Sequence, residues 1–359
     1  MKYIDEYRDR ELVSNLAEKI ASVANRQVAL MEVCGGHTWA MQKFGIPSLL
    51  PSNVKLMSGP GCPVCVTGKG FIDHVVALSR REDVIVTTFG DLMRVPGSSS
   101  SLEKEKSRGA DIRLVYSVLD ALDIARENPS KKVVFPGIGF ETTAPGTAAG
   151  IKNAAAENIE NFFVLSSHKV MPPAMGTLID EGVKIDGYIA PGHVSTITGS
   201  GIYRDIPQKY GVGCVISGFE PVDILQSVYM LLRQINKGRF CVEIQYKRVV
   251  KPEGNKIALK MMEEVFELRD DWWRGFGVIP FSGMGIGEKF ARFDAEKMIE
   301  AEVEKTVEDK GCICGEILKG LKRPDECPLF DKVCNTVNPV GACMVSHEGA
   351  CNAYYRFNS

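Results

Sequence analysis

The chain has 359 residues, 43 Lys and Arg against 45 Asp and Glu, and a formal net charge of -2, a balance with no field to recruit nucleic acid or an anionic membrane. Its 45% hydrophobic and 25% charged residues are those of an ordinary soluble globular protein, long enough to bury a core without covalent staples. The charged N-terminus, MKYIDEYRDRELVSNL, and the lack of any apolar run near the ~20 residues of a membrane span predict a cytoplasmic protein with no membrane partner. In such a compartment eleven cysteines are expected as thiols for metal or redox work, not as structural disulfides.

From about residue 27 to 240, short β-rich runs alternate with helical patterns. The strands expected are QVALMEV, VKLMS, DVIVTTF, DIRLVYS, KKVVFPG, NFFVLSS, DGYIAPG and GVGCVIS. Between them KGFIDHVVALSR, SVLDALDIARE, PPAMGTLIDEG and EPVDILQSVYMLLRQIN carry apolar residues at helical spacing, which reads as βα units around parallel sheets. ENPSKK, near residue 130, looks like a link between two such halves. After about residue 250, KIALKMMEEVFEL predicts a helix and DDWWRGFGVIPFSGMGIGEKF an aromatic loop region, and six of the eleven cysteines then crowd between Cys312 and Cys351. The expected fold is α/β: two parallel-sheet α/β lobes, 1–128 and 129–250, around a central cleft, plus a smaller, mainly helical C-terminal iron-sulfur lobe, 251–359.

Ligands of open α/β sheets gather beyond the carboxyl ends of the strands, and four unusual loops are expected there. In CGGHT, paired glycines let Cys34 and His37 face one point; the pair is a metal-ligating set or a buried thiol with a satisfied histidine. In GPGCPVC, Cys62 and Cys65 are half of a zinc site, for which no second pair follows closely, or a C-P-x-C dithiol with a helix beginning near Thr67. In GFETTAPG, Glu141, Thr142 and Thr143 precede a helix, where capping alone accounts for the threonines; the functional alternative is an anion-friendly pocket with Glu141 as proton carrier. His193 in PGHVSTITG is a turn residue or a fourth member of the same sheet end. His74 and His168 are expected in core or surface roles, and Cys214 and Cys241 as core thiols.

The tail carries CICG (Cys312, Cys314), then Cys327, Cys334, Cys343 and Cys351. Irregularly spaced thiols in such number suit a [4Fe-4S] cluster better than zinc, whose sites show paired C-x-x-C knuckles. Four ligands leave two thiols over, either a disulfide beside the cluster or unused core cysteines. No G-x-x-x-x-G-K-[ST] is present, and the glycines of FSGMGIGEK lack the strand and helix that nucleotide binding needs.

Together CGGHT, GPGCPVC, GFETTAP, PGHVSTITG and the ending CMVSHEGACNAYY closely resemble the HypD family of hydrogenase maturation (expression/formation) proteins, in order and through almost the whole chain. The resemblance implies a scaffold for assembling the Fe(CN)2CO group of [NiFe]-hydrogenases. Such a scaffold works with the small chaperone HypC, receives cyanide from HypE, which HypF supplies with carbamoyl groups, and serves the hydrogenase large subunit through HypC. Carried over, Cys34 is the iron ligand shared with a cysteine of HypC, with His37 beside it. Cys62 and Cys65 match a pair implicated in metal binding or thiol redox steps, and Glu141, Thr142, Thr143 and His193 match loops lining the central cleft. Similarity of the family's cluster surroundings to ferredoxin:thioredoxin reductase assigns Cys312, Cys327, Cys334 and Cys351 as [4Fe-4S] ligands, with Cys314 and Cys343 as a neighbouring redox disulfide. The expected protein is a monomer on its own and a scaffold with thiol redox capability more than a turnover enzyme. The alternative is an iron-sulfur thiol-disulfide reductase acting on a protein substrate, which has no need of the lone Cys34.

Overall fold

Among the described residues, 2 and 4–358 of a computed structural model, eleven strands form two sheets. In chain order they are β1 Val28–Glu32, β2 Val54–Ser58, β3 Val84–Thr88, β4 Ile112–Leu114, β5 Lys132–Gly139, β6 Phe162–Lys169, β7 Gly187–Pro191, β8 Gly213–Ser217, β9 Val242–Ile244, β10 Phe266–Trp273 and β11 Gly277–Ile286. The first sheet runs β2-β1-β7-β8-β9 and is parallel throughout. The second runs β10-β11-β6-β5-β3-β4, with β3 to β6 parallel and the β10–β11 hairpin added antiparallel at the edge.

All eight strand-like runs form strands, because stretches such as VIVTT and FFVLSSHK are buried on both faces, as parallel sheets covered by helices require. The helices start where the chain supplies a cap. Asp9 accepts from the Leu12 amide ahead of Arg10–Val23, and Ser117 and Asp120 form a capping box at Val118–Glu127. Arg10–Val23 and Pro221–Lys237 cover the outer face of the first sheet, while Val118–Glu127, Ala144–Ala156 and Lys256–Val265 cover that of the second. A third, continuous core joins the inner faces of both sheets to the cysteine-rich C-terminus.

The lobes are not divided as the sequence suggested. β1 and β2 share a sheet with β7 to β9, and β3 to β6 share one with β10 and β11, so a boundary at 128 cuts through the second sheet. ENPSKK links Val118–Glu127 to β5 inside that sheet. The aromatic region expected as loop is the β10–β11 hairpin, whose Phe281, held at φ 52°, and bulge between Arg269 and Asp271 break the alternation that would announce it. Cys214 is buried in β8, but Cys241 is exposed just ahead of the short edge strand β9. His168 is a core histidine, bonded to Thr147 Oγ1 and Ser166 Oγ, each at 3.2 Å, and His74 is partly exposed. No helix among the described residues is long and apolar enough to cross a membrane.

Candidate functional site

Each sheet has one point where the strand order reverses. In the first, β2 lies on one side of β1 and β7 on the other; in the second, β3 is flanked by β4 and β5. The loops leaving such neighbours diverge and open a crevice. Here the two crevices face each other and enclose a cavity of about 280 Å³. Its wall takes Cys34 from the loop after β1, His193 from the loop after β7, Phe89 and Asp91 from the loop after β3, and Thr142 and Thr143 from the loop after β5. Pro63 and Val64 come from the loop after β2, and Glu348 arrives from the C-terminal segment.

Cys34 is the N-cap residue of the helix Gly35–Lys43 and is only 7% exposed. Its amide donates to Glu32 Oε2 at 2.9 Å, and the other oxygen of that buried carboxylate accepts from Thr38 Oγ1. Burial pushes the Glu32 carboxyl up to about 8, against the opposing bond from Thr38. Burial, reinforced by Glu348 and Glu32, also pushes the Cys34 thiol far above its ordinary range, which favours the neutral thiol. The GPGCPVC loop closes over it: Gly35 N–H donates to Gly61 O at 2.9 Å, and a Cβ on Gly61 would lie 2.1 Å from the Cys34 nitrogen. Only glycine permits that approach.

Cys62 caps the one-turn helix Pro63–Val66, and Cys62 and Cys65 are joined as a disulfide with Cα atoms 5.2 Å apart. Both are buried; the residues between them face the cavity, while the sulfurs lie behind its wall. The helix packs on the turn Ala342–Val345, which carries Cys343.

Glu141 also stands behind the wall. Its Oε1 accepts from the Met171 amide at 3.1 Å, whereas its buried Oε2 has no partner. Burial raises its carboxyl to about 7, the range in which a carboxyl both holds and yields a proton at neutral pH. Thr143 occupies the N-cap of Ala144–Ala156 without capping it; its hydroxyl turns back to donate to Phe140 O at 3.3 Å, so the capping account of the threonines does not hold for Thr143. His37 does not reach the cavity. Its Nε2 donates to Gly218 O at 2.9 Å, which leaves Nδ1 a buried lone pair without a partner, and burial lowers its pKa to about 4. Phe219 stacks on His37 at 4.6 Å and on His193 at 4.0 Å between ring centroids.

The six C-terminal cysteines, Cys312, Cys314, Cys327, Cys334, Cys343 and Cys351, all line one small hollow with Leu329 and Phe330. The sulfurs of Cys314 and Cys343 lie 2.8 Å apart. No group of three or more His, Cys, Asp or Glu side chains among the described residues is placed to hold a single metal ion; the six cysteines line a hollow instead. An all-thiol donor set around an apolar hollow fits an iron-sulfur cluster.

Of the expected site residues, Cys34, Thr142, Thr143 and His193 meet at the cavity. Cys62, Cys65, Glu141 and His37 form a layer behind it, and the six tail cysteines a separate pocket. The sequence reading missed Glu32, Asp91, Phe219 and Glu348. Glu32 left a trace, a charged residue ending an apolar buried strand; the others lie in loops whose meeting no local pattern encodes.

Two opposed crevices, a lone thiol at their junction and a six-thiol pocket define the class: an α/β protein with cysteine-lined sites. The family model described as HypD, hydrogenase formation hypA family, matches residues 11–358. The chain is 47% identical to the hydrogenase maturation factor HypD of Azotobacter vinelandii, over 99% of this chain and 97% of that protein. It is 46% identical to that of Cupriavidus necator over the same shares, and 44% to that of Rhodobacter capsulatus over 99% and 98%. The chain belongs to the HypD family of hydrogenase maturation factors.

Proposed function

We propose that the protein is the cytoplasmic scaffold on which the Fe(CN)2CO group of [NiFe]-hydrogenases is assembled. It holds the iron together with HypC, accepts cyanide from HypE and passes the group through HypC to the hydrogenase large subunit. The observation that carries this reading is the position of Cys34: a single thiol with no cysteine partner in the cavity wall, where both sheets direct their switch-point loops. A plain thiol-disulfide reductase has no use for that thiol.

In and around the cavity this chain's residues do three things. Cys34 exchanges its proton for ferrous iron, with Glu32 fixing the backbone at the sulfur and Glu348 supplying negative charge beside it. Strong-field ligands such as cyanide and CO favour low-spin ferrous iron, which a thiolate anchor with open positions suits. The Thr142 hydroxyl and His193 offer hydrogen bonds to an incoming anion beside Thr143, and Glu141 carries a proton behind them. The third element is sulfur redox. Cys312, Cys327, Cys334 and Cys351 would hold a [4Fe-4S] cluster, which supplies single electrons when bound. The 2.8 Å approach of Cys314 and Cys343 supports their assignment as the neighbouring disulfide, and the packing of Cys343's turn on Pro63–Val66 supports electron exchange with Cys62 and Cys65.

Cys34→Ala, purified anaerobically with HypC, is expected to lose the infrared bands of cyanide- and CO-bearing iron; bands that persist at wild-type intensity would falsify the anchor role. Cys62→Ser is expected to block maturation while leaving the visible absorption of the cysteine lobe intact.

A further inference from the structure

The aromatic stretch DDWWRGFG has no part in the cavity, yet its turn occupies the junction between the two sulfur sites. Arg274, at the tip of the β10–β11 hairpin, is 7% exposed. Its Nε donates to Cys65 O at 3.1 Å and one terminal nitrogen to Thr67 O at 3.1 Å, so the guanidinium fork grips the end of the one-turn helix that carries the disulfide. The backbone joins in: Arg274 N–H donates to Val66 O at 2.8 Å, and Thr67 bridges Trp273. On the other side the tip is pressed into the cysteine lobe. Gly275, at φ 86°, approaches Gly315 so closely that a Cβ would stand 2.5 Å from the Gly315 Cα, one residue from Cys314.

A buried guanidinium is costly unless its donors are satisfied and its charge is matched. Here the donors are met largely by carbonyls, and the nearest carboxylate, Glu308, is half-exposed at 3.4 Å. The positive charge is therefore incompletely cancelled where the fork holds the Cys65 carbonyl.

We propose that Arg274 is a positioning residue that sets the reduction potential of the Cys62–Cys65 couple and ties the disulfide-bearing helix to the cysteine lobe. This rests on the reading of Cys62 and Cys65 as a working redox pair. The couple is one disulfide plus two electrons and one proton giving one thiol and one thiolate, the second proton going to solvent. A fixed positive charge beside it stabilises the developing negative sulfur and so favours the reduced form. Lysine would keep the charge without the fork; glutamine would lose both.

The test equilibrates the full-length protein anaerobically in buffers of reduced and oxidised dithiothreitol. The reduced reagent gives up two electrons and two protons as it closes to its cyclic disulfide. The state of Cys62 and Cys65 is read by alkylation and peptide mass. Arg274→Gln is expected to shift the equilibrium about tenfold toward the disulfide, about 30 mV for a two-electron couple, and Arg274→Lys by less than about threefold. Glu308→Gln, which keeps the arginine and removes its counter-charge, is expected to shift it the opposite way. Arg274→Gln within twofold of wild type, equal shifts in the two arginine variants, or a Glu308→Gln shift toward the disulfide would each overturn the proposal. A wild-type pair that stays oxidised at every buffer ratio would overturn the working-disulfide reading together with it, whereas a pair that cycles identically in wild type and Arg274→Gln removes this inference alone.

Discussion

Glu141→Gln isolates the cost of keeping a carboxyl behind the cavity wall. The side chain is 3% exposed, with one oxygen bonded to the Met171 amide and the other unpartnered. Burial raises its pKa from 4.5 to about 7 in the folded protein. Each pH unit of that displacement is worth about 1.4 kcal/mol, so the full effect is about 3 kcal/mol. The sign follows from which state releases its proton first. Below pH 4.5 both forms are protonated and the group has no effect on stability. As pH rises from there to about 7, the unfolded chain ionises while the folded one resists, and stability falls by that amount before levelling off. Glutamine cannot ionise, yet its carbonyl still accepts from Met171. Wild type and Glu141→Gln should therefore unfold in urea at nearly the same midpoint at pH 4.5, and the variant should be about 3 kcal/mol more stable at pH 8. The assay is a set of anaerobic urea titrations every half pH unit. A stability difference that does not change between pH 4.5 and 8 would refute the argument that the carboxyl is held protonated by burial.

Three further outcomes follow from contacts already described. Gly61→Ala places a Cβ against the Cys34 backbone nitrogen, and should cost on the order of 2–4 kcal/mol and speed alkylation of Cys34 in the folded protein; an unchanged labelling rate counts against the closed loop. Phe219→Ala removes the ring stacked on His37 and His193, and should cost about 2 kcal/mol and let the His37 pKa climb from about 4 toward its ordinary value, as followed by proton NMR of the imidazole. Gly275→Ala combines a left-handed backbone with the Gly315 contact; it should destabilise by at least about 1 kcal/mol and release the C-terminal segment to proteolysis sooner than the sheets.

Local rules carry the parallel strands and the caps, and fail where meaning lies in partnership. VIVTT and FFVLSSHK declare themselves because burial on both faces leaves no room for polar residues. Strand order is another matter: nothing in the chemistry of VKLMS says that its sheet is completed by GYIAP and GCVIS, more than a hundred residues on. For the same reason the loop motifs showed which residues were unusual but not which face the cavity. Glycines mark Cys34 and Cys62 as special, yet only the packed chain puts one sulfur at the wall and the other behind it. Nothing in DDWWRGFG marks Arg274 as buried; its burial is created by neighbours distant in sequence.

The strand order also determines how the cavity can move. The chain passes between the sheets three times, from β2 to β3, from β6 to β7 and from β9 to β10, so the halves are laced together by three covalent threads. A cut in any one thread leaves at least one sheet drawing strands from both sides of the break. Neither half can be prepared as a contiguous fragment, and any opening of the mouth must bend all three threads at once, a rocking of two joined plates about a common seam.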